Sequence, residues 1–216
     1  MKRISRTVLP AVLSCLVSSA IAAPQWGEPV QAATEAVPTS DKAAVEHAID
    51  KGDRVPDLSF KNAEGETVTL AGELEKGPVV LIAYRGGWCP YCVKQLKAFN
   101  AQREAIEAAG GRVVAFSTET PKFVAQTRGK NKLGYTVLSD PGAAASRALG
   151  IAWKNEKYAK IGKIAEHQGN ELGEIPLGAT YVIDTDGVVR YAFLTDQYKT
   201  RATPEAVIEA LAQIDG

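Results

Sequence analysis

The sequence predicts an α/β fold, a three-layer sandwich with a central mixed β-sheet between helices, and three observations carry that expectation. Val79 to Arg85, VVLIAYR, is a nearly continuous apolar run of strand length, which suits a strand buried on both faces. Helical spacing follows from Pro90, with Val93, Leu96, Phe99 and Ile106 on one face, and then a second buried run, RVVAFST from Arg112. Near the C-terminus ATYVID, TDG and VVRYAF read as strand, turn, strand before a last helix.

The remaining elements fall between these. VPDLSF and ETVTL flank NAEG and predict a hairpin, which puts the start of the fold near Gly52. Gly110-Gly111 stops the helix that opens at Pro90. Thr120-Pro121 gives an N-cap with proline at the first helical position, so a helix runs to about Gly129. YTVLSDPG is a short strand and turn, and AAASRALG a helix ending in glycine. The lysines between Trp153 and Glu174 read as a solvated helix face rather than a functional basic patch. Thr203-Pro204 caps a final helix bearing Val207, Leu211 and Ile214.

With 216 residues there is enough chain for one buried core. Lysine plus arginine and aspartate plus glutamate stand at 25 each, so no net field gathers nucleic acid or an anionic membrane surface, and neither is expected as a partner. Lys2, Arg3 and Arg6 precede a short apolar run, Val8 to Val17, and an Ala-x-Ala site at Ala20 to Ala22. That pattern predicts a secretory signal at 1–22, removed on export to the periplasm, with Cys15 discarded with it or, less in keeping with its VLSC context, lipidated. Residues 23–44, rich in Ala, Pro, Thr and Glu, are expected to be a flexible leader, and 45–216 the folded domain.

The chemistry-bearing stretch is RGGWCPYC, Arg85 to Cys92. A CxxC at a helix start permits a reversible disulfide. Cys89, at or next to the N-cap and expected to be exposed, is then the nucleophile, because unpaired N–H groups there favour thiolate, and Cys92 one turn inside is the shielded resolving thiol. Two other readings stand beside it: a metal site completed by His47 and His167, and a pair of inert buried cysteines. Arg85 is a candidate for stabilising a thiolate or polarising a peroxide, or a strand-end arginine reaching solvent. Arg190 and Arg201 are weaker candidates. Trp88 either forms a lip beside the sulfur or packs on the core. Nothing resembling GxGxxG, a P-loop or a Ser-His-Asp pattern supports a rival chemistry, and no cofactor or metal is expected.

The order β-α-β-α, a short βα insertion, then β-β-α, with a dithiol opening the helix after a buried strand, is the layout of a thioredoxin-like sandwich. From about Gly52 onward, GDRVPDLSF, GETVTL, GPVVLIAYRGGWCPYC, VLSDP and ATYVIDTDGVVRYAF resemble the peroxiredoxin-like branch of the AhpC/TSA (redoxin) family, RGGWCPYC being the most specific part. The resemblance implies a thioredoxin-fold enzyme that reduces hydroperoxides or exchanges disulfides, regenerated by an external dithiol such as a thioredoxin-like protein. It also implies a second register. The family's PxxxTxxC places Arg85 at the proline, Cys89 at the threonine and Cys92 at the attacking cysteine, and CPYC is similar to the glutaredoxin motif. Where thioredoxin folds set a cis-proline opposite the dithiol, counting back from Ile183 gives Gly178, with Pro176 two residues earlier. The expected function is a thiol-dependent peroxidase using Cys89 and Cys92. The alternatives are an extracytoplasmic thiol-disulfide oxidoreductase acting on protein disulfides, and a binding module that keeps the fold for recognition.

Overall fold

The computed structural model describes residues 36–170 and 173–214. The expected signal, Cys15 and most of the expected leader lie outside the described residues. Helix α1 (Asp41–His47) opens behind Ser40, whose hydroxyl accepts from the Ala43 N–H. It covers the last residues of the span expected to be leader and buries Ala44 at 0 % exposure, so the folded part starts before Gly52. Ala44, Val45 and Ala48 seat it on the core. Small alanines give this contact too weak a periodic signature to read from sequence.

Strands β1 (Ser59–Lys61) and β2 (Thr67–Thr69) form the expected hairpin, its turn tied by Asn62 Oδ1, which accepts from the N–H groups of Glu64 and Glu66. Short helix α2 (Leu70–Leu74) leads to β3 (Val79–Ala83), buried along its whole length. The single helix expected after Pro90 is two, α3 (Pro90–Ala101) and α4 (Arg103–Ala108), parted at Gln102. Leu96, Phe99 and Ile106 still share one core across the break, so no burial is lost. Then follow β4 (Arg112–Ser117), α5 (Pro121–Lys130), β5 (Thr136–Ser139) and α6 (Ala144–Ala148). The lysine-bearing stretch holds β6 (Ala152–Lys154), α7 (Glu156–Lys160), α8 (Gly162–His167) and β7 (Glu174–Pro176). Lys157 and Lys160 are exposed there, as a solvated face requires. Strands β8 (Ala179–Ile183) and β9 (Val189–Phe193) and helix α9 (Pro204–Leu211) close the chain.

Seven strands make one mixed sheet in the order β2-β1-β5-β4-β3-β8-β9, with β3, β4 and β5 parallel. β6 and β7 pair separately. Strand alternation divides the interior: Val79, Leu81 and Ala83 face a core shared with α1, α2 and α6, while Val80, Ile82 and Tyr84 face a core shared with α3, α4, α5 and α9. These are the three layers the sequence predicts. The C-terminal ends of the three parallel strands lie along one edge, the usual place for a site in an open α/β sheet.

Candidate dithiol site

The loop from β3 to α3 brings the cysteines to that edge. Cys89 is the N-cap of α3 and Pro90 its first helical residue, whose missing N–H has no intrahelical use there. Cys92 lies one turn on, and both are free thiols with 0 % exposure. The expectation of an exposed Cys89 is therefore corrected: the pair belongs to the core of Leu96, Phe99 and Ile106, beneath a thin cover that includes Tyr198. Two glycines let the loop pass. A Cβ on Gly86 would meet the Trp88 indole at 2.2 Å, and one on Gly87 would meet Thr127 Oγ1 at 2.0 Å.

The two sulfurs are electrostatically unlike. As a neutral thiol Cys89 makes no capping hydrogen bond. Its thiolate is favoured first by a hydrogen bond from the Cys92 thiol, opposed by burial, and favoured again by the Cys92 backbone N–H, the Tyr198 hydroxyl and the Arg201 charge, so its pKa falls to about 5. Cys92 goes the other way: its hydrogen bond to Cys89, burial, and the charge of the Cys89 thiolate push its pKa well above the usual thiol range. Tyr198 is itself pushed up to about 12, by burial first and then by its hydrogen bond to Cys89. The electrostatics assign one thiolate and one thiol.

The arginine beside the dithiol is Arg201, not Arg85. Arg201 Nη2 donates to Cys92 Sγ at 3.4 Å, and its Nη1 is held by the carbonyls of Tyr198 and Thr200 at 2.9 and 2.5 Å. Gly178 makes room for it: a Cβ there would stand 2.9 Å from the Arg201 Cζ. The position opposite the dithiol is thus filled by a guanidinium packed on glycine, and the described residues contain no cis peptide bond. Arg85 extends the alternation of β3 onto the other face, where it is 2 % exposed and reaches Asp41 at 3.4 Å. It neither touches the dithiol nor reaches solvent. Its guanidinium lies 5.4 Å from the Trp153 ring and 4.9 Å from the Tyr198 ring, so it steadies Tyr198. Arg190 is engaged by Asp184 at 2.5 Å.

Behind the loop lies a residue that the sequence reading missed. Glu119, 0 % exposed just past the end of β4, accepts from the Gly87 N–H at 2.9 Å and the Ser117 hydroxyl at 3.3 Å, and pairs with His167 Nδ1 at 2.7 Å. His167, stacked on Phe123 at 3.8 Å, is therefore a partner of the loop's anchor rather than of the cysteines. His47 ends α1, and the described residues hold no group of three or more His, Cys, Asp or Glu that could take a metal. The signal for Glu119 was its place after a buried parallel strand next to the one that carries the dithiol. Trp88 is half-buried against the Tyr158 ring at 5.3 Å and against the core, so it packs instead of standing as a free lip, and α7 covers the site through it.

The AhpC/TSA family model matches residues 51–192. Among curated relatives, peroxiredoxin Q of Suaeda salsa, a chloroplastic protein, is 29 % identical over 156 residues, covering 72 % of this chain and 65 % of that one. Chloroplastic peroxiredoxin Q of Arabidopsis thaliana is 30 % identical over 155 residues, covering 72 % and 64 %. The chain thus spans a little under two thirds of the length of these relatives. The crystal structure of peroxidoxin BcpB from Mycobacterium tuberculosis superposes with a TM-score of 0.63 at 23 % identity, over 77 % of this chain and 98 % of that one, which shows the shared fold.

Proposed function

Because the chain belongs to the AhpC/TSA family, we propose that it is a thiol-dependent peroxidase, an oxidoreductase with Cys89 as attacking thiolate and Cys92 as resolving thiol. The observation that supports this most is the asymmetry of the pair: a thiolate held near pKa 5 one turn from a thiol held protonated. The Cys89 thiolate attacks the outer oxygen of a hydroperoxide ROOH. The O–O bond breaks, OH passes to the sulfur so that Cys89 becomes a sulfenic acid, and RO⁻ leaves and takes a proton from water to become ROH. Cys92 then attacks that sulfur, loses its proton and releases water, leaving a Cys89–Cys92 disulfide. An external dithiol, which the resemblance to the AhpC/TSA family implies is a thioredoxin-like protein, reduces it. Arg201 lies where it can aid both steps, by favouring the Cys89 thiolate and by contacting Cys92 Sγ.

The same electrostatics favour Cys89 over the register that makes Cys92 the attacking residue. The test is stopped-flow mixing of reduced protein with hydrogen peroxide, beside an assay of protein-disulfide reduction. Rapid loss of two thiols to peroxide with poor disulfide transfer supports the peroxidase. The reverse pattern makes the protein a disulfide oxidoreductase, and inertness in both leaves a binding module. We also infer export directed by residues 1–22, in which case N-terminal sequencing of protein from cells begins near Ala23.

A further inference from the structure

Cys89 has no exposed surface, so whatever reacts with it must pass its cover, and Tyr198 is the part of that cover that touches both solvent and the sulfur. The residue is 38 % exposed, while its hydroxyl reaches inward and donates to the Cys89 sulfur. Three contacts hold it there. The Arg85 guanidinium lies 4.9 Å from the ring centroid, Tyr91 meets the ring edge-on at 5.2 Å, and Arg201 Nη1 donates to the Tyr198 carbonyl oxygen at 2.9 Å. None of these contacts uses the hydroxyl, so the O–H can turn about its C–O bond while the ring stays clamped. The other donors to the sulfur lack that freedom: the Cys92 backbone N–H belongs to the first turn of α3, and the Cys92 thiol is needed for the resolving step. Burial keeps the Tyr198 hydroxyl protonated, and therefore a donor, at neutral pH.

We propose that Tyr198 is a further catalytic residue of the peroxide step: its hydroxyl holds the waiting Cys89 thiolate and then passes its hydrogen bond to the peroxide oxygens. The charge bookkeeping requires such a move. A sulfur electron pair forms the S–O bond, the O–O pair departs with RO⁻, and the negative charge passes from sulfur to the departing oxygen. A donor that stayed on sulfur would favour the reactant and slow the attack, whereas one that follows the charge favours the transition state. Tyr198 stands on the solvent side of the sulfur, the side from which a peroxide enters, so its hydroxyl lies along the path of that charge. The tyrosine lends a hydrogen bond and stays neutral, and RO⁻ takes its proton from water.

This inference rests on the peroxidase reading above, and its test keeps the two apart. The reduced full chain and its Tyr198→Phe variant are mixed with hydrogen peroxide and, separately, with iodoacetamide over a range of pH. Rates are compared on the plateau where Cys89 is fully ionised, and mass spectrometry assigns each product to Cys89. Both reagents need the same thiolate through the same cover, but iodoacetamide expels iodide, which depends little on a hydrogen-bond donor. Tyr198→Phe keeps the ring between Arg85 and Tyr91 and deletes the hydroxyl alone. The peroxide plateau should fall by about tenfold or more while the iodoacetamide plateau stays within about twofold, because only the first reaction loses a donor aimed at a developing oxyanion. A covering or structural role would move both plateaus together, and an effect on thiolate formation alone would shift the midpoint and leave both plateaus in place. Tyr198→Ala, which also removes the cover, should react faster with iodoacetamide and remain slow with peroxide. Equal changes toward the two reagents in Tyr198→Phe, an unchanged peroxide plateau, or a Tyr198→Ala variant as fast with peroxide as the unsubstituted protein overturns the proposal. An unsubstituted protein alkylated at Cys89 but inert to peroxide removes the peroxidase reading, and this inference with it.

Discussion

Helices α3 and α9 both open with proline at the first position, behind Cys89 and Thr203 respectively. The backbone device is the same, and the capping atom differs. Thr203 Oγ1 accepts from the Ala206 N–H at 3.3 Å, so one orphan donor of α9 is satisfied by a hydroxyl that never needs to react. Cys89 offers a thiol that makes no capping hydrogen bond while neutral, which leaves the donors of α3 to favour its ionised form. One helix start spends its N–H groups on stability, and the other holds them for an anion. The surroundings follow the same division: the start of α3 is bounded by Tyr198, Arg201 and the loop that Glu119 anchors, whereas Thr203 is exposed.

A hydroxyl at the start of α3 would separate capping from reactivity. Cys89→Ser supplies a better cap and no nucleophile, so reaction with peroxide should be lost altogether while the fold persists. Cys92→Ser should keep the first attack and stall as a sulfenic acid or mixed disulfide on Cys89. Mass spectrometry after one equivalent of oxidant reads both. An adduct on Cys92 in the Cys89→Ser variant would reverse the assignment and restore the PxxxTxxC register.

A smaller effect comes from removing a charge near the sulfurs and leaving both in place. Arg201→Met should raise the Cys89 pKa by about one unit, because an opposite charge a few ångströms away favours the ionised form by that order. The sign for activity follows. Thiolate is the reactive form, so the peroxide rate of the unsubstituted protein is flat near neutrality and falls as pH drops through about 5, and the variant loses its rate at higher pH. Titration of thiolate absorbance near 240 nm, beside the pH–rate profile, checks both. Arg85→Met should move that midpoint less, since Arg85 touches Tyr198 and not the sulfur.

What could be read in the sequence, and what could not, divides along similar lines. The buried strands, the hairpins and the proline-led helix starts are local patterns, and the dithiol announces itself by spacing, so the three layers and the Cys89–Cys92 pair were legible. Glu119 was not, and Arg201 stood only as a weaker candidate than Arg85. Arg201 is 109 residues from Cys92, and only the bare Cα of Gly178 shows why it fits. Arg85 drew attention by adjacency, yet strand alternation carries it to the opposite face. The exposure of Cys89 was misjudged because its cover, Tyr198 with Tyr158 through Trp88, comes from segments whose sequence has no strong period.

A third helix start, that of α5, has the same form. Thr120 precedes Pro121 at the opening of α5 just as Thr203 precedes Pro204, but its side chain makes no capping hydrogen bond. If the hydroxyl hydrogen bond is what stabilises such a start, the two threonines must differ on substitution. Thr203→Ala should lower unfolding free energy by about 1 kcal/mol, the usual value of a cap that is made. Thr120→Ala should lower it by only about 0.3 kcal/mol, because the backbone N–H of Thr120 is held by the His167 carbonyl at 3.0 Å whatever its side chain. Urea unfolding of both variants, with slopes checked to be unchanged, measures the difference as a shift in midpoint. Equal losses would mean that proline and the backbone set these helix starts, and the contrast between Thr203 and Cys89 would then concern reactivity alone.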